Sequence, residues 1–262
     1  MPCSSSYHQR TKHIQQKKFG GKNHLFGKVS LTDLPTNNAC EQRTDLYPIV
    51  HLEGIPGSGK TTASKQLCEH LCKRGLDAVW LLEEDRDHPI MPASLRKQST
   101  APDFPDLCLA AWRSYCATHD KIVILDGYAL QSTVRLMFAN NLAQDAMYEY
   151  FERWIEIGRP YLPIIFLHVE HPDEHYEQIT NERGPDRTRK LIKYVSATPY
   201  GRANGLDGKE GFIKFWSEYQ DFCLRLLNTR NVETLTLEAH SLNQTRLSDL
   251  ASSLLDFFNS SK

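Results

Sequence analysis

The sequence predicts an α/β protein with three layers, in which helices cover both faces of a five-stranded parallel sheet. Short aliphatic runs alternate with helix-length segments along the chain, and most of these runs lack polar alternation. Strands buried on both faces have this composition, and alternation of strand and helix favours right-handed βαβ crossovers. The 262 residues fit one large α/β domain or two small ones.

The predicted strands are short and rich in β-branched or aliphatic residues. They are Ile49–Leu52, Ala78–Leu82, Ile122–Leu125, Ile164–Val169 and Val232–Leu237. Six further segments have the length of helices: Thr61–Arg74, Pro105–His119, Ser132–Ile157, Asp173–Arg183, Gly211–Leu227 and Asn243–Phe258.

Residues 1–44 differ from the rest of the chain in charge. They hold seven Lys or Arg and two acidic residues, whereas the remainder holds 24 basic and 30 acidic side chains. The segment shows neither a helical nor a strand period, so we expect a disordered basic extension ahead of a folded domain at 45–262. A transit peptide and a nucleic-acid-binding tail are alternatives that the sequence leaves open.

The composition is that of an ordinary globular protein, with 40% hydrophobic and 24% charged residues and a net charge of −1. The longest apolar runs are far shorter than the roughly 20 residues of a membrane span, so we expect no contact with a membrane. Seven cysteines, an odd number without CxxC spacing, indicate reduced thiols. This favours a cytoplasmic protein over a secreted one.

The first predicted strand runs into a glycine-rich segment, EGIPGSGKTT, at residues 53–62. Residues 54–61 fit the pattern GxxxxGK[ST] after a strand and before a helix, which is the context that this motif requires. Its glycines turn backbone N–H groups around a phosphate, its lysine reaches the β and γ phosphates, and its hydroxyl binds Mg²⁺. We therefore expect ATP and Mg²⁺ as cofactors, bound by Gly54, Pro56, Gly57, Ser58, Gly59, Lys60, Thr61 and Thr62. A glycine-rich turn with a capping threonine is the structural alternative.

Carboxylates follow two other predicted strands, at the edge of a parallel sheet where ligands bind. Asp126 follows the third strand, where it is expected to hold Mg²⁺ together with Thr61. Four carboxylates and a histidine follow the second strand, within residues 83–88. Glu83 and Asp85 are the candidates for taking a proton from an attacking hydroxyl, provided that the extended backbone continues and points both the same way. The alternatives are a capping aspartate and a solvated acidic surface.

A basic segment follows the fourth predicted strand and its helix. Gly184 and Pro185 break this helix and leave Arg183, Arg187 and two further cations on a predicted loop. Arginines on a mobile lid can close over phosphates and neutralise charge in the transition state. A basic loop over an acidic surface is the alternative. The glycine-rich stretch 200–211 is either a second flap or a plain loop. With this stretch included, the predicted lid spans about 183–211.

Together, EGIPGSGKTT, the acidic end of the second strand, ILDGY and RGPDRTR resemble the nucleoside and nucleotide kinase group of P-loop proteins, in the manner of thymidylate kinases. The resemblance covers about residues 47–190 and implies a P-loop NTPase fold. The implied roles fall on Lys60 and Thr61 for the phosphates and Mg²⁺, Asp126 for the metal shell or substrate, Glu83 or Asp85 for the acidic position, and Arg183 and Arg187 for the lid.

The resemblance is incomplete at the third strand. Thymidylate kinases usually have an arginine after the aspartate, in a DR[YF] pattern, whereas Gly127 stands here. The arginine that grips a substrate phosphate is therefore missing unless Arg135 serves. The stretch YVSATPYGRANGLDGKEG, at 194–211, is similar instead to uncharacterised bacterial P-loop proteins, which extends the expected fold over most of the domain but implies no substrate.

We therefore expect a kinase that transfers the γ-phosphoryl group of ATP to a small-molecule acceptor, such as a nucleoside, a nucleotide or another hydroxylated metabolite. The alternative is a regulatory or DNA-associated P-loop NTPase with the basic extension as its tether. The acidic domain disfavours nucleic acid as a partner, and the absence of an NKxD sequence disfavours GTP. The sequence leaves the acceptor and the oligomeric state open, with a homodimer among the alternatives.

Removing residues 1–44 should leave the thermal midpoint and the catalytic rate nearly unchanged, because a segment without a burial pattern contributes few contacts to the domain. The measurement is a thermal melt of the full and shortened chains, with ATP turnover alongside. A large loss of stability would show that the segment packs on the domain.

Overall fold

All five strands pair in parallel in one sheet, in the order β2-β3-β1-β4-β5. The computed structural model describes residues 47–158, 163–229 and 234–260, so the predicted basic extension lies outside the described residues. The strands are β1 (Ile49–Gly54), β2 (Ala78–Leu82), β3 (Ile122–Asp126), β4 (Ile164–His168) and β5 (Thr234–Glu238). The central strand β1 pairs with β3 on one side and with β4 on the other.

Helices connect successive strands, as parallel pairing requires. They are α1 (Lys60–Lys73), α2 (Ala93–Arg96), α3 (Phe104–Thr118), α4 (Arg135–Ala139), α5 (Gln144–Gly158), α6 (Pro172–Arg183), α7 (Pro185–Ala197), α8 (Pro199–Ala203), α9 (Gly208–Thr229) and α10 (Gln244–Ser260). A π-helical turn, Ala129–Val134, leads directly into α4. Among the described residues, no helix combines the length and the apolar character that crossing a membrane would need.

One face of the sheet is covered by α1, with α10 behind it. Val50, Ile124 and Trp80 are register partners across β1, β3 and β2, so they share this face. The Trp80 Nε1–H group donates to Ser64 Oγ of α1 at 2.9 Å. Arg74, which follows α1, donates to Ser248 of α10. This arrangement forms the first helical layer.

The opposite face carries α3 and α5, packed on a buried histidine. The ring of His51 in β1 lies edge-on to Trp112 of α3 and Trp154 of α5, with centroids 5.5 and 4.7 Å apart. Burial lowers the pKa of His51 to about 3, so the ring remains neutral and acts as a core side chain. Helices therefore cover both faces of the sheet. With the glycine-rich loop between β1 and α1, this confirms the predicted three-layer α/β/α P-loop NTPase fold.

The predicted helix Ser132–Ile157 was wrong as a single element. The chain has a π-helical turn and α4 up to Ala139, and α5 begins only at Gln144. Between them Asn141 adopts φ 58°, a left-handed conformation that asparagine tolerates better than most residues. The helical periodicity continues through this break because both halves bury apolar side chains against the same core.

The basic segment after α6 is also not the predicted loop. Only Gly184, with φ 79°, interrupts the helical backbone, and α7 begins at Pro185. Proline is favourable at the first position of a helix, so Pro185 starts a helix here rather than a loop. Arg187 therefore lies on α7, and most of the stretch 184–211 is helical in α7, α8 and the start of α9.

Candidate active site

The glycine-rich loop joins β1 to α1 and packs against α6. Gly57 has φ 83°, and a Cβ atom there would lie 2.6 Å from Ile179 Cγ1, so both the backbone conformation and the space require glycine. His175 of α6 is buried, and its Nε2 lies 2.7 Å from the Pro56 carbonyl oxygen, to which it donates. The loop is therefore held from α6 in a fixed shape.

Lys60, the first residue of α1, is buried in this loop. Its Nζ donates to the Ile55 carbonyl oxygen at 3.1 Å. Burial lowers the pKa of Lys60, and the charges of Asp126, Glu83 and Glu53 oppose that change. Carboxylates from three neighbouring strands thus act on one buried ammonium group.

Asp126 and Thr61, the predicted metal-binding pair, lie together. The Thr61 hydroxyl group lies close enough to the Asp126 carboxylate to influence its pKa. Burial raises the pKa of Asp126, while Lys60 and the Thr61 hydroxyl group lower it. The strand register pairs Asp126 of β3 with Leu52 of β1, two residues before the loop begins at Gly54. The structure therefore brings the two residues that the sequence analysis paired together at one edge of the sheet.

The donor set fits Mg²⁺ better than a softer metal. Mg²⁺ prefers oxygen and is usually held by one or two protein ligands together with substrate phosphates. In the described part of the chain there is no cluster of three or more His, Cys, Asp or Glu side chains that would hold a metal by itself. The Ser58 hydroxyl in the loop is buried without a hydrogen-bond partner among the described residues, which fits a loop whose polar groups serve a bound phosphate.

Glu83 reaches the site, but Asp85 does not. Glu83 Oε1 accepts a hydrogen bond from Ser132 Oγ at 2.9 Å. Burial raises the pKa of Glu83, and Arg135, Lys60 and the Ser132 hydrogen bond lower it. The Asp85 N–H group instead donates to the Leu82 carbonyl oxygen at 3.0 Å, which closes a turn directly after β2.

The sequence analysis expected Glu83 and Asp85 to point the same way, provided that the extended backbone continued beyond β2. The turn after β2 shows that it does not. Asp85 is exposed, and its carboxylate acts on His88 rather than on Lys60. Burial lowers the pKa of His88 to about 4, with Arg96 adding to this change and Asp85 opposing it. Of the acidic segment, only Glu83 belongs to the group of carboxylates around Lys60.

The two predicted lid arginines lie on different helices and face different parts of the site. Arg183 ends α6, and its charge acts on Lys60, so it faces the phosphate loop. Arg187 of α7 forms an ion pair with Glu84, with Nη2 3.6 Å from Oε1. Both arginines are exposed. The structure thus brings Arg183 toward the phosphates, while Arg187 links α7 to the segment after β2.

The sequence analysis missed Glu53, which is fully buried in β1. Its Oε1 accepts from the Ala129 N–H group at 2.8 Å, and its Oε2 accepts from the Gln131 N–H group at 3.1 Å. Burial raises the pKa of Glu53 to about 7, although these backbone groups and Lys60 lower it. Glu53 therefore anchors the π-helical turn that carries Ser132. Its sequence signal was a charged residue inside the otherwise buried run IVHLEG.

Gly127 explains the departure from the DR[YF] pattern. It has φ 68°, and a Cβ atom there would lie 3.1 Å from Lys60 Cε and 3.0 Å from Gln131 Cβ. A side chain at this position would be strained by the backbone conformation and would crowd the lysine of the glycine-rich loop. Arg135 lies instead at the start of α4, where its Nε donates to the Gln131 carbonyl oxygen at 2.6 Å.

Comparison with known proteins gives a likeness to solved structures alone. No protein-family model and no curated protein sequence matches the chain. A gluconokinase from Sinorhizobium meliloti 1021 is 16% identical, with 82% of this chain and 95% of that one covered and a TM-score of 0.43. The YorR protein from Bacillus subtilis, in complex with phosphorylated GDP, is 10% identical, with 80% and 95% covered and a TM-score of 0.45. Shikimate kinase from Acinetobacter baumannii, in complex with shikimate, is 17% identical, with 83% and 96% covered and a TM-score of 0.42. At these values the likenesses assign no activity to this chain.

The burial of Glu53 predicts a specific pH dependence of stability. Because the folded protein raises the pKa of Glu53 from 4.5 to about 7, ionising this group opposes folding. The stability that the protonated form provides is present below about pH 4.5 and is lost as the pH rises through 7. Between about pH 5 and pH 8 the free energy of unfolding of the wild type should fall by up to about 3 kcal/mol because of this group. Glu53→Gln should not show this loss.

Urea unfolding of both proteins at the two pH values measures this difference. Glu69→Gln, which changes an exposed glutamate on α1, is the matched control and should keep the pH dependence of the wild type. If Glu53→Gln and the wild type lose stability in parallel as the pH rises, Glu53 is ionised at little cost and the assignment of its pKa is wrong.

Proposed function

We propose that residues 45–262 form an ATP-dependent phosphotransferase that moves the γ-phosphoryl group to a hydroxyl group of a small-molecule acceptor. The observation that carries this proposal is the position of Thr61 beside Asp126, next to the buried Lys60. It places the phosphate loop next to a carboxylate on the neighbouring strand, while Glu83 approaches the same lysine from the next strand.

ATP would bind with its phosphates in the loop 54–62, where Lys60 and the N-terminus of α1 provide positive charge. Thr61 and Asp126 are the residues that would hold Mg²⁺. When bound, Mg²⁺ neutralises charge on the β and γ phosphate oxygens. Lys60 acts on the same oxygens, because its position at the start of α1 lies inside the loop.

Glu83 is the proposed base for the acceptor. The acceptor hydroxyl oxygen forms a bond to the γ-phosphorus, and the bond from that phosphorus to the β–γ bridging oxygen breaks, so that ADP leaves. The hydroxyl proton passes to Glu83. Burial raises the pKa of Glu83, which makes the carboxylate a better proton acceptor, and the hydrogen bond from Ser132 fixes its orientation.

Helices α6 and α7 supply the proposed lid. Arg183 faces Lys60 and would neutralise charge on the transferred phosphoryl group. Arg187 holds α7 near the end of β2 through an exposed ion pair, which contributes little energy and so permits opening. Closure of such a segment excludes water, and with it wasteful hydrolysis of ATP.

We also propose the nucleoside and nucleotide kinase group as the relatives of this chain. The motifs EGIPGSGKTT and ILDGY support this relationship, and Gly127 marks a departure from the thymidylate kinase pattern. The body of the chain, with its acidic excess, supports a small molecule over nucleic acid as the partner.

A screen of ADP release tests the function directly. Purified protein with ATP and Mg²⁺ is assayed against nucleosides, nucleotides, sugars and hydroxylated antibiotics, with DNA as a separate arm. Strong stimulation by one small acceptor supports the kinase. Stimulation by DNA, without any by a small molecule, would instead support a DNA-associated NTPase.

Lys60→Ala should reduce ATP turnover by at least about a hundredfold, because Arg183 is exposed at the end of α6 and cannot replace an ammonium group buried inside the loop. The protein should remain folded, as judged by circular dichroism and a cooperative thermal transition. Lys65→Ala, at an exposed lysine of the same helix, is the matched control and should keep full turnover. Ordinary turnover by Lys60→Ala would exclude the phosphate-loop assignment.

Glu83→Gln should reduce turnover with the acceptor found in the screen by at least about a hundredfold, since the amide cannot take the hydroxyl proton. Its affinity for nucleotide, measured with a fluorescent ATP analogue, should change little. Asp85→Asn is the matched control, because this exposed carboxylate turns away from Lys60, and its turnover should stay unchanged. If Glu83→Gln loses ATP binding instead, Glu83 belongs to the metal shell.

A further inference from the structure

Ser132 and Arg135 form the wall of the site beside Glu83, and among the described residues this wall presents no unengaged cation to a phosphate. We propose that the acceptor carries no phosphate group where it contacts this wall, so that the substrate is a phosphate-free hydroxyl compound such as a nucleoside or sugar rather than a nucleotide. This inference rests on the proposed phosphotransferase function and narrows its substrate class.

The first observation is the sign of the charges around the acceptor position. Glu83 and Asp126 act on the single ammonium group of Lys60, and Asp126 is also a residue that would hold Mg²⁺. That ammonium group also has to serve the phosphates of ATP. A phosphate on the acceptor would add two negative charges next to the Glu83 carboxylate, and like charges repel strongly where water is largely excluded. The wall is therefore suited to a neutral group.

The second observation is that the nearest arginine is already engaged. The Arg135 Nε group donates to the Gln131 carbonyl oxygen at 2.6 Å, and its Nη1 group donates to the Tyr194 hydroxyl at 2.8 Å. Its charge acts on Glu83. Arginine recognises phosphate through two parallel N–H groups, and two of the donors of Arg135 are committed to protein oxygens. Arg135 thus serves Glu83 and α7 instead of the phosphate-binding role left open by the sequence.

The third observation concerns three other positions near this wall. Gly127 has φ 68°, so a side chain there would be strained and would also crowd Lys60 and Gln131. Arg96 of α2 donates to the backbone carbonyl oxygens of Glu83 and Asp85 and so supports the turn after β2. Arg187 of α7 is paired with Glu84. None of these three positions supplies an unengaged guanidinium group to the acceptor.

Matched pairs of acceptors test the inference. Each pair consists of a phosphate-free compound and its own monophosphate, such as thymidine with its 5′-monophosphate, or a sugar with its sugar phosphate, and ADP release is measured at saturating ATP. The phosphate-free member should stimulate ADP release at least about tenfold more than its partner. Greater stimulation by a phosphorylated member overturns the inference while leaving the phosphotransferase function intact.

A binding measurement decides the question if no pair stimulates ADP release. Inorganic phosphate is titrated by calorimetry into protein saturated with Mg²⁺ and ADP. We expect no second phosphate site tighter than about 10 mM. A phosphate that binds below about 1 mM and is lost in Arg135→Met would show a phosphate-binding acceptor site and overturn the inference. The preceding ADP titration is the separate check on the proposed function, since failure of the wild type to bind ADP would exclude the phosphate loop and leave no acceptor site to assign.

Discussion

The ammonium group of Lys60 is the charge on which the arrangement of the site depends. It is buried, its Nζ is held by the Ile55 carbonyl oxygen, and carboxylates from the ends of β1, β2 and β3 lie around it. Burying a positive or a negative charge alone costs several kcal/mol. The attraction between the ammonium group and the carboxylates offsets part of this cost for both. The three carboxylates come from neighbouring strands and lie at one edge of the sheet. This is also the edge at which a parallel sheet binds its ligands.

Glu53 extends this constraint to the acceptor side. It belongs to the strand that leads into the phosphate loop, yet both of its oxygens accept from backbone N–H groups of the π-helical turn. That turn carries Ser132, which orients Glu83. The phosphate loop and the proposed base are thus positioned from one rigid strand. Sites built on strands hold their geometry more tightly than sites built on loops.

Helix α7 is connected to this rigid centre by weaker contacts. Its Arg187 pairs with Glu84 in solvent, and its Tyr194 accepts a hydrogen bond from Arg135. Arg187 and Tyr194 are seven positions apart, so they lie on one face of the helix. Exposed ion pairs contribute about 0–1 kcal/mol, which suits the proposed role of α7 as part of a lid. The left-handed backbone of Gly184 separates α7 from α6 and provides a natural joint.

The sequence by itself determined the sheet, the phosphate loop and the pairing of Thr61 with Asp126. These depend on local signals, namely the apolar runs of the strands and a fixed spacing of glycines, lysine and threonine. Because the carboxyl ends of parallel strands meet at one edge of the sheet, the position of Asp126 next to the loop could be predicted without coordinates. Within the acidic segment the same reasoning identified Glu83 but wrongly grouped Asp85 with it.

Only the tertiary structure decided between those carboxylates, because the direction of the chain after β2 is set by a turn that Arg96 supports from α2. It also revealed Glu53, whose role depends on backbone groups 76 and 78 residues away in the sequence. The segment predicted as a lid loop is helical, because Pro185 begins a helix that packs against α9. Such contacts join residues that are distant in sequence, and no local pattern encodes which of two nearby carboxylates will face the lysine.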